Sequence, residues 1–239
     1  AHLRVFRGSP GGETRYDEFD VPVEEGMVVL DALHWIQGHE APDLAVRWNC
    51  KAGKCGSCSA EINGKPRLMC MTRLNTFDPT ETVTVTPMRT FPVIRDLVTD
   101  VEFNYTKARE IPSFAPPPGV APGEYRMQQV DVERSQEFRK CIECYLCQNT
   151  CHVVRDHEEN RPAFAGPRYL MRQAELAMHP LDARPGRPEE AVEEEVEQER
   201  VVHPGALRSH EPDVVRGSRE DLACLDLLAK RARGAGGQG

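Results

Sequence analysis

Nine cysteines constrain this chain more than any other feature, because eight of them fall into two tight groups. The groups are Cys50, Cys55, Cys58 and Cys70, and Cys141, Cys144, Cys147 and Cys151, with Cys224 standing alone. Residues 1–8 lack the apolar core of a secretion signal, so a disulfide framework is not expected. Closely spaced cysteines of this kind indicate metal ligands in a reducing compartment.

The first group has the spacing C-x4-C-x2-C, followed by a fourth cysteine after eleven intervening residues. This is the ligand spacing of plant-type [2Fe-2S] clusters. Gly53 and Gly56 lie in this loop and permit its backbone to approach a cluster, since they have no Cβ and tolerate positive φ. Backbone N–H groups are expected to point at the cluster sulfurs and to stabilise the reduced state. The alternative is a structural zinc site, although such sites usually repeat C-x2-C pairs.

The second group has the spacing C-x2-C-x2-C-x3-C, which is the run of bacterial ferredoxins. In that run three cysteines bind one cubane cluster, and the fourth binds another cluster. Cys141, Cys144 and Cys147 therefore need a remote fourth ligand, and Cys151 needs partners of its own. His152 follows the fourth cysteine, where a proline is usual. Zinc is again the alternative.

The first hundred residues carry short β-rich runs around one helical segment. Alternating apolar residues, bounded by turn residues, predict five strands. We expect them over residues 3–7, 16–23, 59–62, 66–69 and 82–86. Apolar residues at helical spacing predict one helix over residues 28–39. The sequence thus predicts a small sheet packed on a helix.

The second half of the chain has a different character. Five prolines between residues 111 and 123 predict an extended connection near a domain boundary. Beyond it, helical propensity over residues 135–149 and an apolar stripe over residues 167–178 predict helices.

Charge and hydropathy exclude several functions. The formal net charge is −8, from 38 acidic and 30 basic side chains, so no global field attracts nucleic acid. No apolar run approaches the roughly 20 residues of a membrane span. A Ser-His-Asp arrangement, a phosphate loop and a dinucleotide fingerprint are not evident, so we expect the chain to carry electrons without substrate chemistry of its own.

The order of a plant-type cysteine group, a proline-rich connection and a bacterial-type group resembles the iron-sulfur subunit of succinate dehydrogenase and fumarate reductase. Residues 91–97 (FPVIRDL) and 164–170 (FAGPRYL) add to the resemblance, which looks most like the actinobacterial succinate dehydrogenase form. It implies an α+β fold, with an N-terminal β-grasp plant-type ferredoxin domain over residues 1–106. An α-helical bacterial-ferredoxin-like domain over residues 107–182 and an atypical, poorly ordered tail over residues 183–239 would follow.

The resemblance also implies three clusters. The ligands fall on Cys50, Cys55, Cys58 and Cys70 for [2Fe-2S], on Cys141, Cys144 and Cys147 for [4Fe-4S], and on Cys151 for [3Fe-4S]. The family's later C-x5-C-x3-C-P segment has no counterpart from Leu181 onward, so the last two clusters are incomplete in the sequence as written. Our hypothesis is a divergent or frameshifted C-terminus after about residue 183. Cys224 is a further candidate ligand, although a cysteine in an apolar run is more often a small buried hydrophobe.

Such a subunit is expected to pass electrons toward quinone from an FAD-containing flavoprotein subunit that oxidises succinate to fumarate. We expect it to be inactive alone and to lie at the cytoplasmic face of the plasma membrane, attached through membrane anchor subunits. Arg155 and Asp156 stand where many relatives have an aromatic pair of the quinone site. A fumarate reductase subunit that works in the reverse direction and a free ferredoxin-like carrier are the alternatives.

Overall fold

The structure is a computed structural model, and it describes residues 1–184. Five strands form a mixed sheet in the order β2-β1-β5-β3-β4. Their bounds are β1 (His2–Arg7), β2 (Arg15–Asp20), β3 (Ser59–Ile62), β4 (Lys65–Leu68) and β5 (Val83–Thr86). β1 pairs in parallel with β5, and the other three pairs of this sheet are antiparallel. The five predicted strands are confirmed, with β2 ending at Asp20 rather than at residue 23.

The main core lies between this sheet and α1 (Val29–His39). Apolar residues at helical spacing on α1 meet the alternating residues of the strands, as the two backbone periods require. The following core side chains are at most 1% exposed: Leu3, Val5, Val29, Leu30, Leu33, Ile36, Val83 and Val85. Burial of each contributes about 1.5–3 kcal/mol to folding. The predicted helix over residues 28–39 is therefore confirmed.

Three short elements follow the sheet. A small hairpin consists of β6 (Val93–Arg95) and β7 (Val98–Thr99), and α2 (Glu102–Glu110) comes next. None of these three elements was predicted from the sequence. Residues 111–128 contain no helix or strand, as the prolines predict. The connection is not extended throughout, because it turns at residues 117–124 and brings the Phe114 ring to 5.4 Å from that of Tyr125.

The second half is helical in the described residues. It contains α3 (Gln129–Arg139), α4 (Leu146–Thr150), α5 (His152–Asp156) and α6 (Pro167–Ala177). The prediction of one helix over residues 135–149 is wrong, because the helix stops at Arg139. Glu143 and Tyr145 have left-handed φ values of 54° and 58°, which an α-helix does not contain.

The mixed sheet with its helices belongs to the α+β class, as predicted. None of the helices in residues 1–184 combines the length and apolarity needed to cross a bilayer. The predicted tail, the frameshift hypothesis and Cys224 concern residues outside the described part of the chain. The division at residue 106 stays a prediction.

Candidate metal centres

The first cysteine group lies in the connection between α1 and β3, except for Cys70, which lies in the 3-10 turn Met69–Met71. The Cys70 N–H donates to Cys58 Sγ over 3.5 Å, and Cys50 lies close enough to Cys55 to help lower its pKa. Cys55 also lies close enough to Cys58 for their charges to interact. Cys58 and Cys70 are buried, whereas Cys50 and Cys55 are partly exposed. The four thiols therefore form one group with an inner and an outer side.

Backbone amides converge on Cys50. The N–H groups of Ala52 and Lys54 donate to Cys50 Sγ over 3.3 and 3.4 Å. The backbone turns tightly there, with left-handed φ values of 54° at Lys51 and 64° at Gly53. Amide donors favour negative charge on sulfur. These donors suit a thiolate ligand, and the assignment of the four cysteines to a [2Fe-2S] cluster stays a prediction.

The thiols of this group differ in their acidity. The Ser57 hydroxyl and then the Ser57 N–H hydrogen-bond to Cys55, and with weaker help from Cys50 they lower the pKa of Cys55 from 9.0 to about 6. Burial raises the pKa of Cys58 to about 12. Because metals bind thiolates, Cys58 must release a proton on binding iron, whereas Cys55 is already largely ionised at neutral pH.

The second cysteine group lies in and after the turn that follows α3. Left-handed residues Glu143 and Tyr145 flank Cys144 and turn the chain around it. Cys141, Cys144 and Cys147 lie within electrostatic reach of one another. Burial, and secondarily the charge of Cys141, raise the pKa of Cys144. The structure thus gathers the three cysteines that were predicted for one cluster.

Cys151 lies between α4 and α5. Its N–H donates to the Cys147 carbonyl oxygen over 3.0 Å, and its side chain interacts electrostatically with Arg155. Arg155 makes a two-pronged ion pair with Asp156, at 2.8 and 2.7 Å, where relatives were expected to carry an aromatic pair. Within residues 1–184, no set of three or more cysteine, histidine, aspartate or glutamate side chains converges tightly enough to hold a single metal ion.

The two cysteine groups touch. Gly56, in the first group, packs directly on the backbone of Cys144 in the second. The Ser59 hydroxyl lies 2.8 Å from the Cys144 carbonyl oxygen. Beside this contact is a cavity of about 120 Å³, whose lining includes Arg47 and Thr99. The two candidate centres are therefore neighbours in space.

A buried polar network, which was not predicted from the sequence, joins β3 to the second cysteine group. Asn149 is 0% exposed, and its Nδ2 donates to Glu61 Oε1 over 2.8 Å. Asn149 Oδ1 accepts from the Thr90 N–H over 3.1 Å, and Arg89 Nε donates to Glu61 over 3.0 Å. The available signal was the pair of amide side chains, Gln148 and Asn149, between two predicted ligands.

The second segment of the family resemblance, residues 164–170, packs on Gln148. Gln148 Nε2 donates to the Ala165 carbonyl oxygen over 2.7 Å, and Gln148 Oε1 accepts from the Arg168 N–H over 3.3 Å. Gly166 has a φ of 91°, and a Cβ at this position would collide with the Gln148 side chain. The segment therefore closes over α4 and needs glycine at this point.

The other segment, residues 91–97, contributes Asp96, which is 3% exposed. Its carboxylate accepts from the N–H groups of Gly8 and Ala45, over 3.0 and 2.9 Å, and from Arg7 Nε over 3.2 Å. These bonds tie the end of β1 to the loop that leads into the first cysteine group. Asp96 therefore holds the loop before the first cysteine group against the end of β1.

The fold and the first cysteine group together define an iron-sulfur protein of the ferredoxin type. Residues 2–105 match the family model described as a 2Fe-2S iron-sulfur cluster binding domain. The chain is 39% identical over 173 residues to the fumarate reductase iron-sulfur subunit of Mycobacterium tuberculosis, covering 69% of this chain and 67% of that protein. It is 32% identical over 155 residues to the succinate dehydrogenase iron-sulfur subunit of Coxiella burnetii, covering 64% and 63%.

Among solved structures, the chain is similar to a chain of the Mycobacterium smegmatis Sdh1 complex in the apo form. The two are 69% identical with a TM-score of 0.77, and the match covers 81% of this chain and 80% of that one. The chain belongs to the family of succinate dehydrogenase and fumarate reductase iron-sulfur subunits. The resemblance drawn from the cysteine groups is confirmed. The chain spans about two thirds of the length of the two curated relatives named above.

Proposed function

We propose that this chain passes electrons from a flavoprotein subunit, which oxidises succinate to fumarate, toward quinone. The observation that carries the proposal is the direct contact between the two cysteine groups, at Gly56 and Cys144. Iron-sulfur clusters, when bound, supply one-electron redox chemistry. Clusters held by these two neighbouring groups of thiolates would give single electrons a route through the chain.

We assign the ligands by group. Cys50, Cys55, Cys58 and Cys70 hold [2Fe-2S], Cys141, Cys144 and Cys147 contribute to [4Fe-4S], and Cys151 contributes to [3Fe-4S]. The amide donors at Cys50 and the burial of Cys58 support the first assignment. The mutual proximity of the three thiols supports the second, whereas the assignment of Cys151 rests on family membership.

We also propose two domains that divide near residue 106. A β-grasp domain over residues 1–106 is supported by the mixed sheet packed on α1 and by the family match, which ends at residue 105. A helical domain over residues 107–182 is supported by α3 to α6. The proline-rich connection lies in the first part of the second domain.

Exposed apolar side chains beside the first cysteine group support a partner on that face. Trp48 is 46% exposed and Met71 is 60% exposed, next to the ligand positions Cys50 and Cys70. Lys51 Nζ lies 5.2 Å from the centroid of the Trp48 ring and 3.6 Å from Asp31 Oδ1, so an ion pair borders the patch. We propose that the flavoprotein covers this patch. Membrane anchor subunits, expected from family membership, would hold the chain at the cytoplasmic face of the membrane.

The second candidate function is that of a fumarate reductase iron-sulfur subunit. The 39% identity to the Mycobacterium tuberculosis fumarate reductase subunit supports it. The same side chains would then pass electrons in the opposite direction. Direction depends on cluster potentials and on the quinone, so a measurement of both rates on the isolated complex separates the two candidates.

Anaerobic purification from native membranes tests the proposed function. We expect iron and acid-labile sulfide, an electron paramagnetic resonance (EPR) signal of a reduced [2Fe-2S] cluster, and co-purification of a flavoprotein and a hydrophobic anchor. The chain alone should not oxidise succinate, because no dinucleotide fingerprint is evident in its sequence. Stoichiometric zinc without iron, or recovery as a free monomer from gently solubilised cells, would contradict the proposal.

A further inference from the structure

Gly56 is placed where no larger residue fits. Its φ of 67° lies in the left-handed region, and a Cβ there would lie 2.6 Å from Cys144 Cα and 2.7 Å from Cys144 N. The Ile142 carbonyl oxygen would lie at 2.7 Å as well. All three neighbours are backbone atoms, so none can rotate away. The two cysteine groups would have to separate by several tenths of an ångström to reach the ordinary contact distance of 3.4 Å.

Ser59 ties the same two loops together from the start of β3. It is 6% exposed, and its Oγ lies 2.9 Å from the Gly56 carbonyl oxygen and 2.8 Å from the Cys144 carbonyl oxygen. A hydroxyl has a single proton, which is donated to one of these oxygens or shared between them. Both carbonyls belong to the junction, so the hydroxyl acts where Gly56 meets Cys144.

We infer that Gly56 and Ser59 are positioning residues that set the separation between the two metal centres and thereby the rate at which electrons pass between them. The inference rests on the proposed function. Electron tunnelling falls exponentially with distance, so a small separation of the loops slows transfer without removing a ligand. Gly53 is a different case from Gly56. A Cβ added at Gly53 would lie 2.8 Å from the Met71 side chain, which is flexible and can move away.

Two glycine variants distinguish the effect of a steric clash with Cys144 from the effect of backbone strain. Gly56→Ala introduces both, whereas Gly64→Ala, at a φ of 72° with nothing within 4 Å, introduces strain alone. Ser59→Ala removes the shared hydroxyl, and Ser59→Thr retains it. Ser135→Ala is the matched control, because Ser135 is 2% exposed and donates to the Asp131 carbonyl oxygen within α3.

The measurement uses the complex purified anaerobically with its native partners. Its readout is the relaxation enhancement of the reduced [2Fe-2S] EPR signal when the second cluster is also reduced, together with iron content. We expect Gly56→Ala to keep its iron and to lower this distance-dependent enhancement measurably, while Gly64→Ala matches wild type. Ser59→Ala should lose part of it, Ser59→Thr should restore it, and Ser135→Ala should leave it unchanged.

Wild-type enhancement in Gly56→Ala would overturn the inference. If Gly56→Ala retains no iron, the Ser59 pair decides: loss in Ser59→Ala with recovery in Ser59→Thr supports the inference, and any other result for that pair overturns it. The inference is also overturned if reduction of the second cluster leaves the wild-type [2Fe-2S] signal unchanged, because the two centres then do not interact. Wild-type protein without iron in either group would instead refute the proposed function.

Discussion

Replacing Glu61 by alanine is expected to destabilise the protein strongly, because Glu61 anchors β3 to the second cysteine group. Its side chain is 7% exposed and accepts hydrogen bonds from Asn149 and Arg89. Asn149 is 0% exposed, so the substitution leaves its amide without this partner in a site closed to solvent. The Arg89 side chain is 58% exposed, so water replaces Glu61 as its hydrogen-bond partner.

The magnitude follows from these contacts. A hydrogen bond to a charged group contributes about 1.5–3 kcal/mol to the free energy of unfolding. A buried donor that is left without a partner adds a cost of up to about 1–3 kcal/mol. The partly exposed Arg89 pair adds only about 0–1 kcal/mol. We therefore expect Glu61→Ala to lose about 2–4 kcal/mol, Glu61→Gln about 1 kcal/mol because it keeps an acceptor, and Arg89→Ala less than about 1 kcal/mol.

Urea denaturation of the anaerobic holoprotein, followed by circular dichroism, measures these losses. The corresponding shift of the melting temperature for Glu61→Ala is about 4–16 °C for a chain of this size. A loss below about 1 kcal/mol in Glu61→Ala, or equal losses in Glu61→Ala and Glu61→Gln, would refute the reasoning, since the buried acceptor would then have no special role.

Burial, and secondarily Lys51, lower the pKa of His34 below 6.5, so stability is expected to be lost as the pH falls from 6.5 through the folded-state value. Melting temperature against pH checks this, and a His34→Gln variant with an unchanged pH profile would contradict it. Cys55→Ser should abolish or perturb the reduced [2Fe-2S] EPR signal, and an unaltered signal with full iron content would exclude Cys55 as a ligand. In the coding DNA downstream of Asp182, one of the other two forward frames should encode C-x5-C-x3-C-P; its absence from both frames would refute the frameshift hypothesis.

Local patterns were sufficient for the features that depend on nearby residues. The helix over residues 28–39 and the strands of the sheet follow from apolar periods, because a 3.6-residue or a two-residue repeat places its side chains on one face whatever packs there. The spacing of Cys50, Cys55 and Cys58 is likewise local. A short loop must bring three thiols together, so spacing alone indicates the chemistry of the group.

Tertiary structure decided what local patterns do not contain. The break between α3 and α4 needs Glu143 and Tyr145 in left-handed conformations, which their side chains do not favour and which the surrounding packing imposes. The missed helix α2 has few buried residues of its own and therefore no apolar stripe to detect.

The sequence by itself determined the kind of metal centre, since ligand type and spacing are written in consecutive residues. It did not determine how the two centres meet. Ser59 and Cys144 are 85 positions apart, and Glu61 and Asn149 are 88 apart. Contacts over such separations form only when the sheet, α1 and the second half fold against one another, because their geometry depends on the packing of many side chains at once.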